Sequence, residues 1–402
     1  MKFPIAIQLY SVRDEMEKDF YGTLKRIKEL GYDGVEFAGL FGEKACDVKK
    51  ALEELELVPV SAHVPYYDML NNPEEVLADY KEIGCKYVAV PYLTEECRPG
   101  TDGFDDTVKG IRKIGEAAKK LGLQLLYHNH DFEFVKIDGK YALDILYDTI
   151  PDEFLQTEID TCWVNVGGEN PADYIVKYTG KSPVVHLKDF SGSKGNGPLY
   201  KLIGIDDEED DSPASTFEFR PVGYGVQNFG SILNASEKAG AEWVVVEQDE
   251  PSMGKTSLEC AMLSINYIKS ISLTRSEARE QAFLVMFEKI FDAESTIGEI
   301  IEKAEENNLV ILNEFSKYLL SKYEPNEKEI DALIDEKTTG WALSRLPKVS
   351  LAVLRLAVTE IKYCDDIPAG VAINEAVEIT KKYGTPEDAS YVNGVLGSVA
   401  RS

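Results

Sequence analysis

The 402-residue chain contains no run of about 18 apolar residues, so it offers no helix able to cross a bilayer. Its opening, Met1-Lys2-Phe3-Pro4-Ile5-Ala6, has neither the apolar core nor the small-residue cleavage site of a secretion signal. Together these absences predict a cytoplasmic protein with no membrane partner. Cysteine is sparse, with six residues at 46, 85, 97, 162, 260 and 364 and no CxxC pair. That excludes a disulfide framework and a zinc knuckle, and it predicts reduced thiols. Basic charge is also short: 43 Lys+Arg stand against 71 Asp+Glu, a net charge of −28. Bulk, non-specific nucleic-acid binding needs a basic footprint and is excluded, whereas a small specific RNA site is not. Histidine is scarcest of all these, with four residues at 63, 128, 130 and 186.

What is present supports two packed domains. The hydrophobic fraction of 44% is enough for real cores, and the length exceeds that of one ordinary domain. Residues 1–271 alternate β-rich runs with amphipathic helical stretches. The runs are Ile5–Tyr10, Gly34–Phe37, Val58–His63, Tyr87–Pro91, Gln124–His130, Leu155–Asp160, Val184–Lys188 and Trp243–Glu247. Between them lie Phe20–Leu30, Asp47–Leu55, Asp105–Leu121 and Asn228–Ala239, with Gly31, Gly84, Gly122 and Gly240 where left-handed C-caps are wanted. Eight such repeats predict a (β/α)8 TIM barrel. A doubly wound sheet fits less well, because no Gly-rich phosphate loop follows the first strand. The stretch Phe190–Gly225 is too long for a plain β/α loop; with Gly192, Gly195, Gly197 and the acidic run Asp206–Asp211 it reads as a solvated excursion.

After Ile271 the strand signals stop. Ala278, Ala282, Met286 and Ile290 recur at helical spacing, and further helices are expected near Ile297–Glu306, Leu309–Leu320, Glu327–Ile334, Ser350–Tyr363, Val371–Tyr383 and Glu387–Val399. Residues 273–402 thus form an all-α domain, joined to the first near Ser270–Arg275.

Barrel chemistry comes from the C-terminal ends of strands. All four histidines fall there, together with Gln8, Tyr10, Glu36, Glu133, Glu158, Asp160, Lys188, Glu247 and Asp249. Carboxylates and imidazoles converging at one mouth suit a divalent cation, Mn²⁺, Mg²⁺, Co²⁺ or Zn²⁺, that polarises a carbonyl. His128, His130, Glu158 and Lys188 are the candidates to move protons. Gln8, Tyr10, Glu36, His63 and Trp163 are the candidates to bind substrate, with Tyr66 as a further ring to stack on a sugar.

IAIQLYSVRDEM, GYDGVEFAG, YHNHDFEF, EIDTCWV, VVHLKD and VVVEQD resemble the sugar phosphate isomerase/epimerase-like group of xylose-isomerase-type barrels, over residues 3–269. The resemblance implies a metal-dependent sugar or keto-sugar isomerase, epimerase or lyase, with Asp160, His186 and Glu247 as metal ligands. Many relatives carry Glu at the end of strand five where this chain has His128, and Glu133 is the candidate to replace that ligand. A second departure is Tyr224, which stands between Gly223 and Gly225 where relatives often have an acid.

In the second domain, Thr274 and Glu277 have capping-box spacing, and Arg275 and Arg279 share a helix face. TRSEAREQAFLVMFEKIF, WALSRLPKVSLAVLRLAVTEI, AINEAVEITKKYG and YVNGVLGSVA closely resemble the blocks of NusB, the transcription antitermination factor, over residues 274–400. That implies a bundle of about seven helices that binds boxA-type single-stranded RNA together with a small ribosomal protein of the elongation complex. Arg275, Arg279 and Arg345 are then the RNA contacts, and Trp341, Leu346, Leu354 and Leu356 the core. Residues 273–402 hold 15 Lys+Arg and 23 Asp+Glu, net −8, so affinity for RNA alone should be low. The alternative is an enzyme whose helical tail is a dimerisation or docking module.

Overall fold

The computed structural model describes residues 3–194, 216–338 and 342–401; Gly195, Gly197, the Asp206–Asp211 run and Trp341 lie outside them. The chain divides into two compact units, Met1–Ile268 and Lys269–Ser402.

The first unit is a closed parallel barrel. Its strands are β1 (Ile5–Gln8), β2 (Gly34–Phe37), β3 (Val58–Ala62), β4 (Tyr87–Val90), β5 (Gln124–His128), β6 (Gln156–Asp160), β7 (Val184–Leu187) and β8 (Trp243–Val246). Each pairs with its neighbour in sequence, and β1 pairs with β8. The seam between β3 and β4 is held by the bridge of His63 to Ala89 and by Val64 N–H donating to the Ala89 carbonyl at 2.9 Å. Gly31, Gly84, Gly122 and Gly240 take φ of 90°, 106°, 74° and 82° as they turn four helices into the next strands, the left-handed geometry that a side chain would resist. Short antiparallel pairs join Asp189–Ser191 to Glu218–Arg220, and Lys136–Ile137 to Lys140–Tyr141.

Strand periodicity sets the site. Ala6, Val60, Ala89, Leu126, Val184 and Val245 pack together inside the barrel as an apolar floor. Two residues further along the same inward faces stand Gln8, His128, His186 and Glu247. Pairing levels the layer: Gln8 is opposite Glu36, His128 opposite Glu158, and Asp160 opposite His186.

Several strands end earlier than their apolar runs suggest. β1 stops at Gln8 because its side-chain oxygen accepts the Tyr10 N–H at 3.1 Å and starts a 3-10 turn over Leu9–Val12. β5 stops at His128, and Asp131–Phe134 forms another such turn. Tyr10 and His130 are therefore loop residues.

The second unit has seven α-helices among the described residues: Arg275–Phe291, Ile297–Glu306, Glu314–Tyr323, Glu327–Lys337, Lys348–Tyr363, Ala369–Tyr383 and Pro386–Val399. Thr274 and Glu277 form the expected capping box, with Thr274 N–H donating to Glu277 at 2.9 Å and Glu277 N–H to Thr274 Oγ1 at 3.2 Å. The third helix begins at Glu314 rather than near Leu309, because Asn313 Oδ1 caps it through Ser316 N–H. Lys348–Tyr363 is the central helix, buried on both faces through Leu351, Leu354, Leu356 and Val358. Each unit has its own apolar core.

A cut at Ser272 should therefore give two fragments that each unfold cooperatively. Circular dichroism melts check this, and a non-cooperative melt of residues 273–402 would make the helical unit dependent on the barrel.

Candidate functional site

Burial of charge defines the barrel mouth. Glu36, Glu158, Asp160, Glu247 and Asp249 are all buried, and Lys188, 1% exposed, is the permanently cationic side chain against them. Lys188 Nζ donates to Asp249 Oδ1 at 2.8 Å and to Glu247 Oε2 at 3.2 Å. Three imidazoles meet the remaining carboxylates. His63 Nε2 lies 2.6 Å from Glu158 Oε1, and His186 Nε2 lies 2.7 Å from Glu36 Oε2. His186 Nδ1 lies 3.1 Å from Glu247 Oε2, and His128 Nε2 is 3.4 Å from Asp160 Oδ2 and 3.5 Å from Glu247 Oε2.

This balance moves the titrations. Burial pushes His128 down, but the nearby Asp160 and Glu247 carboxylates carry it up to about 9. Burial likewise opposes charge on His186, and Glu36 and Glu158 carry it well above the usual imidazole range. Burial disfavours the Glu247 carboxylate, yet Lys188 and the two histidines hold it well below its ordinary value. Asp249 goes the other way, to about 6, because burial and Glu247 outweigh Lys188. His130 is held far down by burial and by the charges of His128 and Lys188, and stays neutral.

Two sets of side chains present donor atoms within 4.8 Å of one another: His128, Asp160, His186 and Glu247; and His63, His128, Glu158 and His186. A buried site with Asp160 Oδ2 and His128 Nε2 both outside any hydrogen bond fits a divalent ion of the kind the fold implies. Beside it opens a cavity of about 470 Å³, lined by His63, His128, His130, Lys188, Glu247 and Asp249 among others. Tyr10, Val64, Pro65, Tyr80 and Tyr92 also line it.

The geometry changes several sequence expectations. Glu133 is not in either donor set. Its carboxylate accepts from the Tyr127 hydroxyl and from the His130 N–H at 2.8 Å, and burial raises it to about 7, so it buttresses the loop while His128 stands in the donor position. Glu158 lies behind His63 rather than at the cavity. Gln8 and Glu36, 2.9 Å apart, are buried beneath the histidines and do not line the cavity. Trp163 is buried against His130, Phe217 and Phe219, with the Lys188 ammonium 5.2 Å from its ring, so it shapes the site from behind. Tyr66 belongs to a separate groove with Tyr67 and Gly110. Tyr10 and His63 do line the cavity, and the Arg13 guanidinium stacks 4.0 Å from the Tyr10 ring. Asp189 was passed over in the sequence: its carboxylate accepts from Gly223, Gly225 and Gln227 N–H groups at 2.9–3.1 Å. An acid thus serves the Gly223-Tyr224-Gly225 turn from the end of β7.

In the helical unit, Arg275 and Arg345 are exposed, and the Arg275 guanidinium lies 4.0 Å from the Phe315 ring. Arg279 differs. It is 4% exposed, and its Nε and Nη2 donate to Glu360 at 2.5–3.0 Å. The expected RNA contact at Arg279 is therefore corrected to an internal ion pair that ties the first helix to the central one. Ser276 donates to Glu375 at 2.9 Å and ties the first helix to Ala369–Tyr383 as well.

A family model described as the xylose isomerase-like TIM barrel matches residues 24–270, and one described as the NusB family matches residues 276–401. The transcription antitermination protein NusB of Agathobacter rectalis is 45% identical over 131 residues, covering 32% of this chain and 100% of that protein. That of Lachnoclostridium phytofermentans is 40% identical over 130 residues, covering 32% and 98%. Among solved structures, a sugar phosphate isomerase/epimerase from Parabacteroides distasonis covers 67% of this chain and 94% of its own, with TM-score 0.52 and 20% identity. At that identity the likeness carries the barrel fold.

Removing one partner of a buried pair leaves the other charge uncompensated. Arg279→Ala should cost roughly 3–5 kcal/mol, seen as an earlier urea midpoint for the helical unit. The double change Arg279→Met with Glu360→Leu should cost much less. Equal losses would show that the pair is not what holds the two helices.

Proposed function

The chain belongs to the xylose isomerase-like TIM barrel family through residues 24–270 and to the NusB family through residues 276–401, and on that footing we propose a metal-dependent sugar or keto-sugar isomerase, epimerase or lyase fused to an RNA-binding antitermination domain. The observation that carries the enzymatic half is the convergence of His128, Asp160, His186 and Glu247 beside Lys188, open to a cavity of about 470 Å³. These four residues would hold the ion, which when bound supplies a Lewis acid for a substrate carbonyl or adjacent hydroxyl.

The chain's own groups account for the proton traffic. Loss of a proton next to a carbonyl leaves negative charge on oxygen. Lys188 is held cationic by Asp249 and Glu247 against the opposing effect of burial, and it faces the cavity, so its Nζ can donate to that oxygen. His130 lines the same cavity and is neutral, so its ring can accept a proton. Asp249, at about 6, is a second group able to take and return a proton near neutral pH. Glu158 acts one step back, orienting His63 through their 2.6 Å contact. The rings of Tyr10, Tyr80 and Tyr92 in the cavity lining would pack the apolar face of a sugar.

Deuterium from solvent should enter the substrate carbon during turnover of a reactive keto-sugar. Lys188→Met should lower kcat by about 10²-fold or more. NMR of products formed in D₂O reads both. Turnover across a keto-sugar panel without any exchange would point to hydride transfer and remove this mechanism.

For residues 273–402 we propose binding of a boxA-like single-stranded RNA, with a small ribosomal protein supplying the basic surface that this domain lacks. The family relationship and the exposed Arg275 and Arg345 support it, and the net charge of −8 explains the need for a partner. Arg275→Ala and Arg345→Ala should each reduce the salt slope of binding by about one. Fluorescence anisotropy with and without the partner, at several salt concentrations, measures this. Scrambled RNA that binds as well, and a partner that adds nothing, would favour the docking-module alternative.

A further inference from the structure

The two sets of donors at the barrel mouth are not equivalent. In one, Glu158 Oε1 is already engaged by His63 Nε2 at 2.6 Å. In the other, rear contacts fix Asp160, His128 and His186; Asp160 Oδ2 and His128 Nε2 are left without a hydrogen bond, while His186 Nδ1 faces Glu247 Oε2 at 3.1 Å and Lys188 Nζ reaches the same oxygen at 3.2 Å. Asp160 Oδ1 accepts the Cys162 and Trp163 N–H groups at 2.7 and 3.1 Å, while Oδ2 has no hydrogen bond. His128 Nδ1 lies 3.3 Å from the Pro91 carbonyl. A carbonyl only accepts, so Nδ1 bears a proton, and Nε2 on the far side of the ring is the atom left to bind an ion once that ion displaces its proton. His186 Nε2 faces Glu36 at 2.7 Å, which leaves Nδ1 towards Glu247. A rear contact on each ring is the arrangement that orients metal-binding histidines.

Donor type and spacing then discriminate among ions. The set comprises two imidazole nitrogens and two carboxylate oxygens. The separations are 3.1 Å for His186 Nδ1 to Glu247 Oε2, 3.4 Å for His128 Nε2 to Asp160 Oδ2, and 3.5 Å for His128 Nε2 to Glu247 Oε2. Four tetrahedral donors at about 2.1 Å from an ion are spaced by about 3.4 Å. Magnesium favours an octahedral shell of oxygens and keeps its waters; calcium needs six to eight oxygens. Imidazole nitrogen favours Zn²⁺ and Co²⁺ over Mn²⁺ and Mg²⁺. We propose that this centre selects Zn²⁺ or Co²⁺ over Mg²⁺ and Mn²⁺, and that His128 at the end of β5 sets the preference. The inference rests on the metal-dependent reading above and narrows it to one class of ion.

The test uses the full chain, stripped with a chelator, dialysed against equimolar Mg²⁺, Mn²⁺, Co²⁺ and Zn²⁺, and analysed for elements. Zinc or cobalt should be retained at close to one ion per chain, with magnesium and manganese at traces. His128→Glu should lower the ratio of bound zinc to bound manganese by about tenfold or more, because one nitrogen donor becomes oxygen. Cobalt titrated into the unmutated protein should give the intense visible bands of four-coordinate Co²⁺, a readout that needs no variant. Preferential retention of magnesium or manganese, an unmoved ratio in a folded His128→Glu protein, or the weak spectrum of octahedral cobalt would each overturn the inference while leaving metal dependence standing. Retention of no ion at all would instead overturn the metal-dependent reading.

Discussion

Five buried carboxylates at one end of the barrel are the constraint on which the rest of this unit depends. Isolated buried charges of one sign are unaffordable in an apolar interior, so Glu36, Glu158, Asp160, Glu247 and Asp249 must be met by cations or protons. The chain supplies one lysine and three imidazoles, and the raised titrations of His128 and His186 record the demand. A bound cation would meet the same demand by displacing those protons. The apolar floor beneath and the strand register around this layer are what bring the groups together. A one-residue slip in β7 would turn His186 outwards and bring Val185 in.

Much of this was legible in the sequence because two simple periods carry it. Alternation of apolar runs with amphipathic helices located all eight strands, and Gly31, Gly84, Gly122 and Gly240 each have a left-handed φ. Placing the scarce histidines at strand ends located the site. What the sequence could not resolve was the direction of side chains once a strand gives way to a turn. Glu133 is only five residues beyond His128, yet the 3-10 turn over Asp131–Phe134 aims its carboxylate back at Tyr127. Trp163 follows a metal-candidate aspartate closely, but it lies in the helix that Asp160 caps, and so packs behind the site. The short pairings of Asp189–Ser191 and Lys136–Ile137 are too brief for any periodic signal.

The helical unit shows how a sequence motif can conceal two physical roles. Arg275 and Arg279 share a helix face by spacing, but one stands at the exposed first turn and the other lies over the central helix. Helix spacing gives the direction of a side chain about its own axis. It does not reveal what packs against that face, and here Glu360 on Lys348–Tyr363 decides the outcome. An arginine buried against a glutamate has its donors committed and contributes little field at the surface.

Charge also separates the two units' requirements. Of the net −28, residues 273–402 account for −8, leaving −20 on residues 1–272. Surface charge of one sign keeps a protein soluble, and its reach at physiological salt is only about 8 Å. Acids within the helical unit therefore bear directly on phosphates bound there. With Arg279 withdrawn into its pair, the positive surface in the proposed contacts rests on Arg275 and Arg345, two charges whose combined counterion release is small. Specific recognition by such a surface has to come from stacking, base-edge contacts and a second protein rather than from long-range attraction. The same acidity that disfavours indiscriminate RNA binding would thus make recognition conditional on that partner.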